Sequence, residues 1–279
     1  MPNNIAEAVL RRFAPAKINL YLHVTGQRAS GYHELDSLVA FASVGDQVEV
    51  SAAADLTLEV TGPEASALTQ TKTNDNLVMR AARLLAERYS VSAGARIVLQ
   101  KNLPVASGIG GGSADAAAVL KALVSLWALE ATSEALAEIG LTLGADVPVC
   151  LTGRPQRMTG IGERLHETPP LPDCHLVLVN PRSGLSTPDV FAALHKGSWR
   201  PRGVAAPMPA DSDFLSFVAE LKKRGNDLEE PAIELLPGVR DVLAALQEQK
   251  GCRLARMSGS GATCFGLFAM ASSAEDAAS

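Results

Sequence analysis

The sequence predicts an α+β protein of two domains, and three observations carry that prediction. The chain has 279 residues, room for two modest domains. Segments of period two and segments of helical period occur together, but the helix after the main glycine loop is followed by another helix, so no βαβ unit forms there. Pro and Gly interrupt regular structure from Gly153 to Pro172. That interruption divides the chain into residues 1–153 and 154–279.

Taken in order, "AKINLYLHVT" (Ala16 to Thr25) alternates apolar and polar residues and reads as a strand. "GYHELDSLVAFAS" reads as a loop and a second apolar segment. "DQVEVSAAADLTLEVTG" reads as two strands joined by a turn, with Val48, Val50, Leu56, Leu58 and Val60 in period two. Leu77, Ala81, Leu84, Leu85 and Tyr89 stand at helical spacing, with Asn74 or Asp75 as N-cap. Ala95 to Lys101 is a strand. After the glycine loop, a helix from about Ser113 to Leu129 is apolar on most faces, the pattern of a buried helix. "SEALAEIGLTLG" is a helix that ends at Gly144 as C-cap, and "ADVPVCLTG" closes the first half. The second half reads as a strand (Cys174 to Asn180), a Ser/Thr loop and a helix (Thr187 to Leu194). A Pro-rich linker (Pro201 to Pro209) leads to helices at about Asp213 to Arg224 and Gly238 to Gln249. A strand, the glycine turn "SGSGAT" and a final strand "CFGLFAM" end the chain. There are no internal repeats.

The apolar fraction of 47% and charged fraction of 20% are those of an ordinary globular protein. A net charge of −5 argues against nonspecific nucleic-acid binding, and it means that local groups must attract any polyanionic ligand. Cys150, Cys174, Cys252 and Cys264 are far apart with no C-x-x-C pair, so reduced thiols in a cytoplasm are the expectation. The N-terminal "MPNNIAEAVLRRFAPAK" has no signal-peptide core, and no run has the length of a membrane span.

"LPVASGIGGGSAD" (Leu103 to Asp115) places four glycines in five positions at the start of a helix. Residues without Cβ at a helix N-terminus let an anion approach the exposed N–H groups and the positive end of the helix. It is not a dinucleotide fingerprint: Pro104 separates it from the strand, and Gly108-x-Gly110-x-x-Ser113 matches only loosely. It is not a P-loop, because no Lys-Ser or Lys-Thr follows the glycines. A flexible loop with no ligand is the bland alternative.

"PVASGIGGGSADAAA" closely resembles the phosphate loop of the GHMP small-molecule kinases, the family of galactokinase, homoserine kinase and mevalonate kinase. "APAKINLYLHVTGQRASGYHELDSL", "GADVPVCL", "STPDVF", "GNDLEEPA" and "MSGSGATCF" resemble further motifs of that family in the right order, from Ala14 to about Phe268. Ile109 stands where Leu is usual. The resemblance implies an N-terminal domain like ribosomal protein S5 that binds ATP, and a ferredoxin-like C-terminal domain. It implies transfer of the ATP γ-phosphoryl group, with Mg²⁺, to the 2-hydroxyl of a cytidine diphosphate-linked methylerythritol, in the non-mevalonate route to isoprenoid precursors. The partners implied are this small molecule and neither nucleic acid nor membrane; a homodimer stays open, as do the magnesium ligands.

The resemblance also assigns residues. Asp146 is by position alone better read as a helix N-cap before Val-Pro; the resemblance reverses this and makes it the candidate base for the hydroxyl proton, and one residue could serve both ends. Lys17, by itself an outward strand lysine, is placed beside that aspartate, where it stabilises the transferring phosphoryl group. Asn19 is on the same strand face as Lys17 and reaches the same ligand. Tyr32 stacks on cytosine, His33 pairs with its edge, Phe191 is the ring on the other face, and Thr187 is a hydroxyl contact that also reads as an N-cap before Pro188. Pro104, Val105, Ala106, Ser107, Gly108, Ile109, Gly110, Gly111, Gly112, Ser113 and Ala114 wrap the ATP phosphates. Ser113 is an N-cap or faces phosphate or magnesium, Lys101 adds positive charge, and Asn76 and Leu77 are adenine-side contacts. "SGSGAT" lies close to the active site in this family, or is simply a tight hairpin turn. Two rival readings remain: a family member with a sugar or amino-acid substrate, which needs no aromatic clamp, and a nucleotide-binding protein without catalysis, which needs neither Lys17 nor Asp146.

Overall fold

A computed structural model describes residues 9–68, 75–194, 208–210 and 212–279. Asn74 and most of the Pro201 to Pro209 linker lie outside the described residues. Among those described, no helix is long and apolar enough to cross a membrane. The chain divides into two compact units. The first takes residues up to Ala16, Ser43–Val105 and Gly110–Gly153; the second takes Lys17–Ala42, Ala106–Ile109 and Arg154–Ser279. The division is interleaved, and one passage between units falls at Gly153/Arg154. Strand length is the reason. β1 (Leu10–Gln27) and β2 (His33–Ala53) have 18 and 21 residues, far above the common strand length, and each changes unit partway along. "GYHELDSLVAFAS" is therefore no loop beyond Tyr32; it is the first half of β2.

In the first unit β2 pairs antiparallel with β4 (Gly94–Gln100), from Gln47 opposite Gln100 to Ala53 opposite Gly94. β3 (Leu56–Thr61) pairs with the other edge of β4 in parallel. The two strands read as joined by a turn thus flank β4 and do not pair with each other. Val48, Val50, Ile97 and Leu99 are buried at alternating positions, the period-two signature of a half-buried sheet. The helices of this unit are α1 (Leu77–Arg88), α2 (Gly111–Leu126), α3 (Ser133–Leu143) and α4 (Val147–Thr152). α2 packs on α1, α3, α4 and β4, and its small side chains, Ala114, Ala116, Ala117, Ala118 and Ala122, are all buried. Alanine favours the helix and lets neighbours approach closely.

Three caps differ from the sequence expectation. Asn76, one turn position later than Asp75, caps α1 by accepting from the Val78 N–H at 2.9 Å. Gly110, in the left-handed region at φ 63°, precedes α2, so Ser113 lies inside the first turn and is not the cap. Ser186 holds the N-cap position of α5 (Thr187–Ala193), which makes Thr187 its first helical residue.

In the second unit the first half of β2 pairs with β5 (Gln156–Gly160), and β5 pairs with β6 (Arg164–Glu167). The stretch read as irregular holds this hairpin, because Gly160 and Gly162 at φ 73° and 115° make the turn and β2 supplies an edge. A second sheet has the order β7-β9-β8: β7 (His175–Val179), β8 (Cys252–Met257) and β9 (Cys264–Phe268), all antiparallel. Around it lie α5, α6 (Phe214–Lys222), α7 (Glu229–Leu235), α8 (Gly238–Glu248) and α9 (Ala271–Ala278). The sequence reading omits α7 and α9. α7 carries Pro231 at its third residue, where the missing N–H is tolerated, and α9 takes up the residues right after Met270 at the end of "CFGLFAM". Val190, Leu228, Val239, Met257 and Phe268 form the core here.

Leu120 on α2 is fully buried, whereas Leu141 on α3 is 44% exposed. Leu120→Ala should cost about 2–5 kcal/mol in urea unfolding, and Leu141→Ala less than about 0.5 kcal/mol.

Candidate active site

In the first unit, the start of α2 combines a left-handed Gly110 with a first turn that contains no acidic residue, leaving its N–H groups and positive end to an anion. A Cβ on Gly111 would lie 3.0 Å from the Lys101 Nζ, and one on Gly112 would lie 3.3 Å from the Leu77 Cδ1. The glycines are thus seated on side chains beneath them. Asn76 and Leu77 are the cap and first residue of α1, directly beside this seat.

Lys101 is 2% exposed and forms part of that seat. Its ammonium donates to Asp115 Oδ2 at 2.8 Å and to Asp46. Asp46 Oδ1 also accepts from the Asn102 and Leu103 N–H groups at 2.6 and 2.8 Å, which pins the chain where it enters the glycine segment. The expectation that Lys101 adds positive charge at the loop meets a different geometry: its charge is committed to two carboxylates. Burial pulls the ammonium pKa down, and the two aspartates more than offset this, so it is raised. Burial pushes the Asp115 carboxyl up to about 7, Lys101 opposes this and Asp46 adds to it. Asp115 Oδ1 is buried without a hydrogen-bond partner. Asp146 stands at the N-cap position of α4, before Pro148, and its side chain makes no cap hydrogen bond there.

In the second unit, β1 carries Lys17 and Asn19 two residues apart, both buried at 4% and 3% exposure. Lys17 is therefore not an outward, solvated lysine. Its backbone N–H donates to the Ile109 carbonyl at 2.9 Å, which ties β1 to the glycine segment. The Asn19 N–H donates to Ser258 Oγ at 3.0 Å, and Ser258 Oγ donates to the Gly108 carbonyl at 3.2 Å. The "SGSGAT" turn joins β8 and β9 as a hairpin and also packs against Ser107 and Gly108. The Thr263 N–H donates to the Ser107 carbonyl at 3.1 Å. A Cβ on Gly108 would lie 2.5 Å from the Gly261 carbonyl oxygen, and one on Gly259 would lie 2.8 Å from the Gly108 oxygen. No side chain fits either position.

Asn226 of "GNDLEEPA" holds that turn from behind. Its Nδ2 donates to the Met257 and Gly259 carbonyls at 2.9 and 2.8 Å, and its Oδ1 accepts from the Leu228 N–H at 3.0 Å. The same segment runs beside β1, with the Leu22 N–H on the Gly225 carbonyl and the Asp227 N–H on the Leu22 carbonyl.

His33, at the start of β2, stacks on Phe191 of α5 with ring centroids 4.8 Å apart and planes inclined by 19°. Burial lowers the His33 pKa, which favours the neutral ring. Tyr32 is 65% exposed. Thr187 Oγ1 and Ser260 Oγ share a hydrogen bond of 2.7 Å, which joins the start of α5 to the glycine turn. A cleft of about 500 Å³ opens here, lined by Ala106, Gly184, Leu185, Ser186, Asp189 and Leu235.

The sequence reading gives no role to Asp46, Asp115, Ser37, Asn226 or Ser258. Ser37, Asp115, Asn226 and Ser258 stood inside quoted motifs, so a signal existed for them. Asp46 sits in a strand segment where nothing local distinguishes it.

Comparison with known proteins follows the same lines. Residues 76–154 match the model of the GHMP kinases N terminal domain, and residues 192–279 match that of the GHMP kinases C terminal. The chain is 54% identical over 266 residues to the 4-diphosphocytidyl-2-C-methyl-D-erythritol kinase of Paramagnetospirillum magneticum, covering 95% of this chain and 91% of that one. It is 56% identical over 259 residues to the protein of the same name from Ruegeria pomeroyi, covering 93% and 88%. A crystal structure of 4-(cytidine 5'-diphospho)-2C-methyl-D-erythritol kinase matches with a TM-score of 0.77 at 35% identity, over 96% of this chain and 93% of that one.

The buried Asp115 gives a pH dependence with a definite sign. Its folded pKa of about 7 lies above its ordinary 3.8, so the stability it contributes is complete below the ordinary value and is lost as pH rises through about 7. Asp115→Asn carries no such proton, so its melting temperature should fall less than that of the parent chain between about pH 5 and pH 8.

Proposed function

From the premise that the chain belongs to the 4-diphosphocytidyl-2-C-methyl-D-erythritol kinase family of the GHMP kinases, we propose that Lys17 and Asp146 carry its phosphoryl transfer. The chain is a kinase that uses ATP to phosphorylate 4-diphosphocytidyl-2-C-methyl-D-erythritol at its 2-hydroxyl, in the non-mevalonate route to isoprenoid precursors. The observation that carries the residue assignment is the tie between β1 and the glycine segment, because it holds Lys17 and Asn19 against the backbone proposed to bind phosphate.

The α2 N-terminus, Gly110 to Ala114, receives the phosphates through its N–H groups, with Pro104 to Ile109 completing the wrap. Asn76 and Leu77 flank the adenine side. Lys101 supports this loop from beneath through Asp46 and Asp115. Asp146, at the start of α4, accepts the proton of the attacking hydroxyl. Lys17 makes the hydroxyl easier to deprotonate and offsets negative charge on the moving phosphoryl group.

No three His, Cys, Asp or Glu side chains stand together as a metal site among the described residues. Mg²⁺ would accompany the ATP phosphates, and the Ser113 hydroxyl in the first turn of α2 is a suitable hard-oxygen partner for it. Mg²⁺ would supply positive charge that offsets the charge of the phosphates during transfer.

For the cytosine, the exposed Tyr32 supplies one stacking face and Phe191 the other. The His33 ring now lies on Phe191, so seating the base moves that ring to the base edge. A neutral imidazole has one donor and one acceptor, which suits an edge with an amino group beside acceptors. Thr187 adds a hydroxyl contact. ATP use and four cysteines that form no disulfide favour the cytoplasm as the compartment.

Asp146→Asn should lower kcat by about 10²–10⁴-fold while ATP and substrate affinity stay within about tenfold. Turnover near the parent level in an ADP-release assay would return Asp146 to a purely structural part. Tyr32→Ala should raise KM for the cytidylated substrate about tenfold or more, with little change in KM for ATP; equal effects on both would contradict the cytosine assignment. The same assay should detect no preference for mevalonate, homoserine or galactose.

A further inference from the structure

The Asn19 amide is held in one orientation by a hydroxyl that has no freedom of its own. Ser37 on β2 is 1% exposed, and its Oγ donates its single proton to the Tyr21 carbonyl at 2.5 Å. A carbonyl cannot donate, so the direction of that bond is fixed. Ser37 Oγ can then only accept from its other neighbour, Asn19, 2.8 Å away, and the atom facing it must be Nδ2. Of the two ways an asparagine amide can be turned, the network leaves one. Asn19 Oδ1 consequently faces away from Ser37, buried and without a donor among the described residues. Buried acceptors are almost always paired, so this one calls for a donor from outside the protein. Gly259 stands beside it: a Cβ there would lie 3.3 Å from Oδ1. Any larger residue in that turn would crowd the space a partner needs.

The surrounding frame keeps Ser37 in place. Its neighbour Asp36 takes two bonds from Arg157, at 2.8 and 2.7 Å, and one from the Tyr21 hydroxyl at 3.0 Å, which locks β1, β2 and β5 together at this level. The Asn19 backbone is fixed independently by Ser258.

We propose that Ser37 is a positioning residue that turns the Asn19 amide so that its oxygen accepts a hydrogen bond from a substrate hydroxyl, which makes this point of the site selective for a donor. The inference rests on the reading of Asn19 as a substrate contact. It also separates the roles of the two β1 residues. Lys17 brings positive charge for phosphoryl oxygens, and Asn19 brings an acceptor, which a phosphate oxygen cannot use and an alcohol can.

The test is a double-mutant cycle of Ser37→Ala and Asn19→Ala, read as KM and kcat for substrate and for ATP. Ser37→Ala should raise the substrate KM about tenfold and leave the ATP KM within about twofold. In the Asn19→Ala background the same change should add almost nothing, because its effect passes through Asn19. Ser37→Thr, which keeps the hydroxyl, should restore the substrate KM. An undiminished effect in the Asn19→Ala background, or equal shifts in both KM values, overturns the proposal. So does an unchanged substrate KM in Ser37→Ala when Asn19→Ala raises it. If Asn19→Ala itself leaves the substrate KM unchanged, the assignment of Asn19 as a substrate contact fails instead, and the proposal with it. A second measurement needs no variant. In ¹⁵N-labelled protein, the Asn19 side-chain proton facing Ser37 should exchange slowly with and without substrate, and fast exchange in both states overturns the fixed amide.

Discussion

The contact on which the site depends is backbone against backbone, where Gly108 meets the turn from Ser258 to Gly261. Space for even one methyl group is missing on either side. Two segments 150 residues apart in sequence therefore act as one surface, tied by Ser258 to the Gly108 carbonyl and by Thr263 to the Ser107 carbonyl. β1 joins them through Lys17 on Ile109 and Asn19 on Ser258. Glycine serves here less as a flexible residue than as a thin one. The hydrogen bonds span distances that a side chain would hold open.

Charge is handled by a different device in the first unit. A buried lysine beneath an anion-binding loop would ordinarily be read as an attractor for phosphate. Lys101 is instead flanked by Asp46 and Asp115, so the three groups together carry no surplus positive charge. Their work is mechanical: Asp46 grips the chain entering the loop, Asp115 grips the first turns of α2, and Lys101 binds both. A network of this kind is stable only when each member keeps its partner, since an unpaired buried charge is expensive to retain. Burial above all, with the Asp46 charge adding to it against the opposing Lys101, pushes the Asp115 carboxyl up to about 7. In the proposed site, attraction for phosphate then falls to the α2 N-terminus and to cations other than Lys101, in a chain whose net charge is −5.

The parts of the fold that were legible in the sequence are those with a local cause. Val48 and Val50 announce a strand by alternation, α2 announces itself by alanine content, and Gly144 ends α3 as a C-cap. The places where the sequence misled are those decided by a neighbour. "GYHELDSLVAFAS" is strand because β5 pairs with it, and the hairpin of β5 and β6 exists because β2 gives it an edge. α7 was hidden by a proline that sits in the first turn, where it does no harm. Thr187 and Asp75 each stood one residue from the true cap, because neighbouring polar residues offer the same local chemistry, whereas Ser113 lost the cap to Gly110, whose left-handed backbone starts the helix earlier.

By itself the sequence determined the family of the reaction, because ordered motifs from Ala14 to Phe268 resemble those of the GHMP kinases, and that resemblance implies phosphoryl transfer to an alcohol. It also determined the two glycine segments as segments. It did not determine what those residues touch. That Lys101 faces carboxylates, that Ser258 clasps Gly108, and that Ser37 dictates how Asn19 is turned were decided only by tertiary structure. The physical reason is the same in each case. A hydrogen bond or ion pair between residues far apart in the chain leaves no period and no spacing in the sequence. It exists only when folding brings a donor and an acceptor within about 3 Å of each other.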